Sequence, residues 1–250
     1  MKEALYVLKE AWLNLFRYPV SVLKNEHVDY DTYWGDKRSE SAGKIKLGKL
    51  THWQRLRADM ALSYMPKSDA SLTILDVGCG DGGVLAYLRE HAPVSRVMGV
   101  DISEQALIKA RELGIETIRS QHDPLKNIPL SLSADYVCMF EVLEHMINPE
   151  AQLRAMTDLA TRGVFFSFPN TGYIEHRMRL LFGRFPLQWV AHPSEHVRFW
   201  TYQDLVWWLK ALGYREYQIH VYKGVPVLNT LWPSLFGRAF FVYLPKQSHS

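Results

Sequence analysis

The residues best suited to chemistry lie between positions 74 and 83, in the run Ile-Leu-Asp-Val-Gly-Cys-Gly-Asp-Gly-Gly. The apolar stretch that ends there predicts a buried strand. The glycines let the backbone turn tightly and let a ligand approach without meeting a Cβ atom. A helix is predicted to follow, with its unpaired N–H groups and positive dipole end facing the turn. The pattern therefore predicts a cradle for a bound cofactor.

Two classes of cofactor fit this turn on spacing alone. Gly78, Gly80 and Gly83 have the spacing of a dinucleotide fingerprint, and Asp101 ends the next predicted strand, where a carboxylate can meet an adenosine ribose. NAD and S-adenosylmethionine both carry an adenosine, so both fit this spacing. Asp76 favours S-adenosylmethionine, because a carboxylate at the mouth of the strand would repel a pyrophosphate but attract an ammonium or sulfonium group.

Further acidic residues follow the next predicted strands. Asp123 comes after the third strand, where it could accept a hydrogen bond from an adenine amino group. The fourth strand ends in Glu141-Val-Leu-Glu144-His145. This run puts two carboxylates at the carboxyl edge of the sheet, where open α/β folds bind ligands. The acidic rim again favours a cofactor that is cationic at its reactive centre.

Strand and helix signals alternate through the chain that must position these residues. Strands are predicted over 72–77, 96–100, 115–118, 134–140, 163–168, 214–222 and 239–244, and helices over 51–65, 82–90, 103–112, 149–160 and 201–211. Alternation of this kind predicts a parallel sheet with helices on both faces. The last two strands have no predicted helix between them, so we expect them to form an antiparallel edge.

Three motifs together resemble the class I S-adenosylmethionine-dependent methyltransferases: residues 74–82, Gly99-Val-Asp-Ile-Ser103 and Glu141-Val-Leu-Glu-His145. The stretches 166–170 and 195–201 resemble the MetW-like branch and the ubiquinone-biosynthesis O-methyltransferases. The resemblance covers about residues 70–220. It implies a doubly wound, mostly parallel, seven-stranded Rossmann-like α/β sheet with a reversed final strand. It also implies that S-adenosylmethionine is bound by Asp76, Gly78, Gly80, Asp101, Ile102, Asp123 and Glu141.

His196 and Glu141 are the predicted catalytic residues. A hydroxyl acceptor must lose its proton near the transition state, and histidine has a pKa close to working pH. His196 follows a predicted lid over 169–200, and Glu141 is predicted to lie on the substrate side of the cofactor. We therefore predict methyl transfer from S-adenosylmethionine to a small-molecule or glycan-like acceptor, on oxygen. A structural role is the alternative for His196.

Two other classes of function share the predicted sheet. One is an NAD(P)-dependent oxidoreductase or epimerase, and the other is a non-catalytic, cofactor-binding scaffold protein, because a fold does not establish a function. The run His192-Pro-Ser-Glu-His196 also has the letters of an inverted zinc-protease motif. Its proline and serine disfavour the uninterrupted helix that would bring both histidines to one face. We therefore predict no metal there.

The predicted lid carries Arg177, Arg179 and Arg184 among apolar residues. Guanidinium groups there could recognise an anionic or lipid-linked acceptor, and packing over the site is the alternative role. Before Pro19, apolar residues at helical spacing predict an amphipathic helix. Such a helix packs on the main domain, packs on a second subunit in a homodimer, or lies on a membrane surface.

Composition narrows the class of protein further. The net charge of +3 and the absence of a basic stripe argue against a nucleic-acid substrate. Cys79 and Cys138 fall in predicted buried segments, so no disulfide framework is expected. With neither a long apolar run nor a signal peptide, we expect a cytoplasmic protein. Residues 1–66 are predicted to cover the site, and residues 67–250 to form the methyltransferase domain.

Overall fold

The computed structural model describes residues 28–39, 48–68, 71–121, 127–129, 132–188 and 194–247. The amphipathic helix predicted before Pro19 and the adenine contact predicted for Asp123 lie outside these residues. The division at residue 66 stays a prediction. Among the described residues, none of the helices has the length and apolar content that a bilayer span requires.

Seven strands form one sheet in the order β3-β2-β1-β4-β5-β7-β6. The strands are β1 Leu72–Val77, β2 Val94–Asp101, β3 Glu116–Arg119, β4 Ala134–Phe140, β5 Ala160–Pro169, β6 Gln218–Gly224 and β7 Gly237–Pro245. Strands β1 to β5 pair in parallel, and β7 runs antiparallel to both of its neighbours. The mostly parallel, seven-stranded sheet with a reversed final strand is thus confirmed.

In the part of the chain that the structure describes, seven longer helices accompany the sheet. They are α1 Tyr30–Ser39, α2 His52–Tyr64, α3 Gly83–His91, α4 Glu104–Glu112, α5 Pro149–Leu159, α6 Ile174–Leu181 and α7 Tyr202–Ala211. Two one-turn helices, α8 Leu228–Leu231 and α9 Pro233–Phe236, lie between β6 and β7. The expectation that no helix separates these strands was therefore wrong, because a single turn is too short to show a helical period. The strands do pair antiparallel, as predicted.

Alternate residues of the strands pack into two hydrophobic cores on opposite faces of the sheet. Leu75 and Val77 point into one core, and Ile74 points into the other, as the two-residue period of a strand requires. Ala58 and Ala61 of α2 are fully buried in the second core. Helix α2 therefore lies directly on the sheet, which fixes the polar residues of its first turns beside the strand ends.

The two cysteines lie where the apolar pattern predicts. Cys79 and Cys138 are both buried, and neither forms a disulfide. Burial raises the pKa of both thiols well above the usual value, so they remain protonated and behave as small apolar side chains. The predicted absence of a disulfide framework is confirmed for these residues.

Candidate active site

A cavity of about 780 Å³ opens at the carboxyl ends of the central strands. Doubly wound sheets bind ligands at this edge, and the volume lies within the range of small-molecule sites. The structure brings together all the predicted site residues that it describes. The lining includes Asp76, Gly78, Gly80, Asp101, Ile102, Glu141 and His196.

The glycine turn forms one wall of the cavity. Gly78 and Gly80 have positive φ angles of 76° and 54°, in the left-handed region that favours glycine. A Cβ atom on Gly78 would lie 2.4 Å from Val142 Cγ2, and one on Gly80 would lie 2.6 Å from Trp34 Cζ2. Glycine is therefore required at both positions by backbone angle and by space, and α3 begins directly after the turn.

Asp76 is the clearest sign of a missing cationic partner. Its carboxylate is buried, and Oδ1 has no hydrogen-bond partner among the described residues. Burial raises the pKa of Asp76 to about 8, and nearby Asp101 adds to the rise while Arg57 opposes it. A buried carboxylate without a partner is costly, and a bound ammonium group would remove that cost. The cradle therefore fits the amino-acid end of S-adenosylmethionine.

Asp101 is held by the backbone around it. Its carboxylate accepts hydrogen bonds from Gly80 N at 2.8 Å and from Ser103 N at 2.9 Å. Burial raises the pKa of Asp101, and these backbone donors counteract part of the rise. A carboxylate has about four acceptor sites, so capacity remains for the two hydroxyls of a ribose.

Helix α1 covers this end of the cavity. Asp31 Oδ1 accepts hydrogen bonds from Ser103 Oγ at 2.7 Å and from Gln105 N at 3.2 Å, and Lys109 Nζ donates to Trp34 O at 2.7 Å. These bonds fix α1 to both the first and the last turn of α4. Three aromatic side chains of α1 line the cavity as a result: Tyr30, Tyr33 and Trp34.

Glu141 lies at the centre of a second set of contacts. It has a φ of 57°, unusual for a residue other than glycine. Its Oε1 accepts hydrogen bonds from Tyr222 OH at 2.5 Å and from Ser167 Oγ at 3.0 Å, and lies 3.2 Å from Arg57 Nη1. Burial alone would raise the pKa of Glu141, but Arg57 and Lys223 hold it below the usual value.

Glu144, His145 and His196 form a cluster next to Glu141. Glu144 is 1% exposed, neither of its carboxylate oxygens has a hydrogen-bond partner in the described chain, and burial beside Glu141 raises its pKa well above the usual value. His145 Nδ1 donates to the carbonyl of Glu195, which leaves the lone pair of His145 on Nε2.

His196 completes this cluster. Its Nδ1 is buried without a hydrogen-bond partner among the described residues, and burial beside His145 lowers its pKa to about 4. Glu144, His145 and His196 each offer one atom that could ligate a metal ion, and these three atoms lie within 4.8 Å of one another. Two neutral imidazoles and a carboxyl group are a set that could hold a divalent cation. The cluster joins positions more than 50 residues apart in the sequence, so the prediction made from the local run 192–196 could not find it.

The match to a protein family decides between the cofactor classes. A family model described as a methyltransferase domain matches residues 50–219. The chain belongs to the class I S-adenosylmethionine-dependent methyltransferases. S-adenosylmethionine is accordingly the methyl donor, and an NAD(P)-dependent oxidoreductase or epimerase is not favoured.

Relatives and solved structures agree with this assignment of the methyltransferase. A ubiquinone biosynthesis O-methyltransferase of Escherichia coli O157:H7 is 30% identical over 181 residues, which cover 68% of this chain and 75% of the relative. A mitochondrial ubiquinone biosynthesis O-methyltransferase of Candida albicans is 28% identical, over 72% of this chain and 59% of the relative. A SAM-dependent methyltransferase from Archaeoglobus fulgidus has the same fold, with a TM-score of 0.55, 18% identity, and coverage of 86% of this chain and 100% of that one.

Two arginines of the segment predicted to be a lid contact backbone carbonyls of the same segment. Arg179 is 1% exposed, and its Nε donates to Phe185 O at 2.8 Å. Arg177 Nε donates to Gly172 O at 2.6 Å. These contacts favour the packing role for both side chains. Cations of β6 and β7 line the cavity instead: Lys223 and Arg238.

Four residues of the site escaped prediction from the sequence. Arg57, Ser167, Tyr222 and Lys223 surround Glu141, yet they come from α2, β5 and β6. Ser167 was the one with a visible signal, as a lone polar residue inside the apolar run 164–168. Arg57, Tyr222 and Lys223 lie in segments whose sequence pattern is that of an ordinary amphipathic helix or strand.

Proposed function

We propose that this methyltransferase transfers the methyl group of S-adenosylmethionine to a hydroxyl oxygen of a small aromatic acceptor. The observation that carries the proposal is the cluster of Glu144, His145 and His196, which lines the cavity close to Glu141 and in which Glu144 and His196 have buried polar atoms without a hydrogen-bond partner among the described residues. A hydroxyl must lose its proton near the transition state, so it needs such groups, whereas a neutral amine already offers its lone pair. The names of the relatives support oxygen as the methylated atom.

The chain's own residues would share the work of methyl transfer. Asp76 would hold the ammonium of the cofactor and Asp101 its ribose hydroxyls, while the N–H groups at the start of α3 would face its carboxylate. The reaction is an in-line displacement at the methyl carbon. Alignment of donor and acceptor and exclusion of water therefore supply much of the rate. Helix α1 would exclude water by covering the cofactor.

His196 is the residue we propose to receive the acceptor's proton. Its low pKa keeps the imidazole neutral and able to accept, but it also makes His196 a weak base on its own. The donor set with Glu144 and His145 favours a second role for the same cluster, as ligands of a divalent cation. Bound there, such a cation would polarise the hydroxyl oxygen and ease its deprotonation.

The aromatic acceptor is inferred from the apolar side chains of the cavity. Trp53, Phe140, Met146 and Leu187 are among the lining residues. Flat apolar side chains with polar groups among them are typical of sites for aromatic ligands. These side chains favour an aromatic acceptor over a glycan-like one.

The test is a turnover assay with a panel of acceptors. The protein is incubated with S-adenosylmethionine and a catechol, an aniline, an aryl thiol or a sugar, and S-adenosylhomocysteine and the methylated product are identified by mass spectrometry. We expect methylation of the catechol oxygen. Methylation confined to the aniline, the thiol or the sugar would contradict the proposal.

Variants of the cluster give the matched comparison. We expect His196→Ala to lower kcat by about 100-fold and to leave the affinity for S-adenosylhomocysteine unchanged. His91→Ala, which removes an exposed histidine of α3, should leave both unchanged. Loss of activity in a chelator and its return with Mg²⁺ or Mn²⁺ would assign the cluster to a cation, and activity that resists chelation would assign proton removal to His196 alone.

A further inference from the structure

Lys223 brings a positive charge to the cavity without a carboxylate beside it. It lies near the end of β6, lines the cavity, and places Nζ 4.7 Å from the ring centroid of Trp53 and 5.4 Å from that of Tyr222. Within the described part of the chain, Nζ has no carboxylate oxygen within 4 Å. The aromatic faces stabilise the cation but do not neutralise it.

The neighbouring cations have partners of their own. Arg57 is paired with Glu141 at 3.2 Å, and Arg238 Nη2 lies 3.8 Å from Glu175 Oε2. Burial, Arg57 and Arg238 together lower the pKa of Lys223 to about 8, and Glu141 and Glu144 oppose them. An anion bound by Lys223 and Arg238 would reduce the repulsion between these two cations.

The sheet order separates this charge from the cofactor cradle. The glycine turn follows β1, whereas Lys223 is on β6, and β4, β5 and β7 lie between those two strands. Lys223 pairs in register with Ala239, so Arg238 is beside it at the beginning of β7. The cavity thus has a buried carboxylate with an unpartnered oxygen, Asp76, at one end, and a cation without a direct ion pair in the described chain, Lys223, at the other.

We propose that Lys223 and Arg238 form a subsite for an anionic group of the acceptor, a carboxylate on the molecule whose hydroxyl is methylated. This inference rests on the proposed function, because it assigns the far end of the cavity to the acceptor. Lys223 is half-buried beside Trp53 and Tyr222, so less water competes for a carboxylate bound to it, and the exposed guanidinium of Arg238 could add a second donor. The subsite would orient the acceptor by its anionic end.

The experiment compares two acceptors that differ in one group, catechol and 3,4-dihydroxybenzoate. Their binding to the protein saturated with S-adenosylhomocysteine is measured by calorimetry, so no turnover is needed. We expect the carboxylate to bind about tenfold more tightly to the wild type. Lys223→Met should abolish the preference, Lys223→Arg should retain it, and Lys210→Met, on the exposed face of α7, should leave it unchanged.

Three results would overturn the subsite. One is a preference for the carboxylate that survives Lys223→Met, and another is a wild type that binds both rings equally or neither ring. The third is a Lys223→Met variant that loses affinity for S-adenosylhomocysteine but keeps it for 5′-methylthioadenosine, which lacks the amino-acid group. Lys223 would then serve the cofactor's own carboxylate. Failure of the proposed function is distinct, because it appears as absent turnover while the binding preference is still measured.

Discussion

The two ends of the cavity are built in different ways. At the cradle end, the contacts run through the main chain: Gly80 N and Ser103 N donate to Asp101, and Gly78 and Gly80 are fixed by their backbone angles. At the acceptor end, side chains from α2, β5 and β6 meet at Glu141. Backbone N–H groups donate whatever side chain their residue carries, so the fold itself maintains the contacts with Asp101. The contacts at Glu141 depend on the identity of individual side chains.

The two ends also differ in the charge that they leave unmatched. Asp76 is a buried carboxylate with an unpartnered oxygen, and Lys223 is a cation without a carboxylate within 4 Å in the described chain. If these two charges bind different ligands, a substitution at one end of the cavity should change the affinity for the cofactor or for the acceptor, but not for both. The predictions below test that separation.

The largest effect is expected from Asp76→Asn. The change removes a buried charge that would pair with the cofactor's ammonium, and we expect the affinity for S-adenosylhomocysteine to fall by about 100-fold. The pKa of Asp76 is about 8 in the fold and about 4 in the unfolded chain, so the cofactor-free wild type loses stability as the pH rises from about 4 to about 8, and the loss is complete above that range. The variant should then melt at or above the wild-type temperature at pH 8.5. Calorimetry measures the affinity, and thermal unfolding measures the melting temperature. A loss of affinity below fivefold would contradict the proposal that Asp76 binds the ammonium of the cofactor.

A smaller effect on the cofactor is expected from Glu141→Gln. The change leaves Arg57 without its carboxylate, so we expect the free energy of unfolding to fall by about 1–3 kcal/mol and kcat to fall by about tenfold. The affinity for S-adenosylhomocysteine should change by less than about threefold, because Glu141 acts by positioning the acceptor end. Urea unfolding, steady-state kinetics and calorimetry measure the three quantities.

The control for this variant is Glu116→Gln. It breaks the exposed ion pair between Glu116 and Arg96, which should leave stability and turnover unchanged. An equal loss in kcat and in cofactor affinity for Glu141→Gln would show that Glu141 belongs to the cradle, as its predicted cofactor contact implies.

The same contrast explains what could be predicted from the sequence. The bounds of β1 and β4 match the prediction, because short apolar runs between turn signals mark buried strands. The glycine turn, Asp76 and Asp101 are close together in sequence, so their spacing alone predicted one site. At this end of the cavity, residues that are close in the sequence are also close in the structure.

The acceptor end could not be predicted in this way. Tyr222 reaches Glu141 from 81 residues away, and His145 meets His196 across 50 residues. No periodic pattern records which side chains of distant elements converge. The positive φ of Glu141, which turns its carboxylate toward these partners, is likewise set by tertiary contacts such as the bond from Glu141 N to Ser167 O.

The smallest expected effect is a dependence of cofactor binding on pH. The pKa of Asp76 is raised to about 8 by burial, so the carboxyl group is mostly protonated at pH 6.5 in the cofactor-free protein. An ammonium pairs with the ionised form, so binding releases a proton, and affinity for S-adenosylhomocysteine should rise about fivefold from pH 7 to pH 8. Calorimetry in two buffers of different ionisation enthalpy measures the released proton directly. Asp76→Asn should release none, and a wild type whose affinity is flat or falls over this range would place the ammonium elsewhere in the cavity.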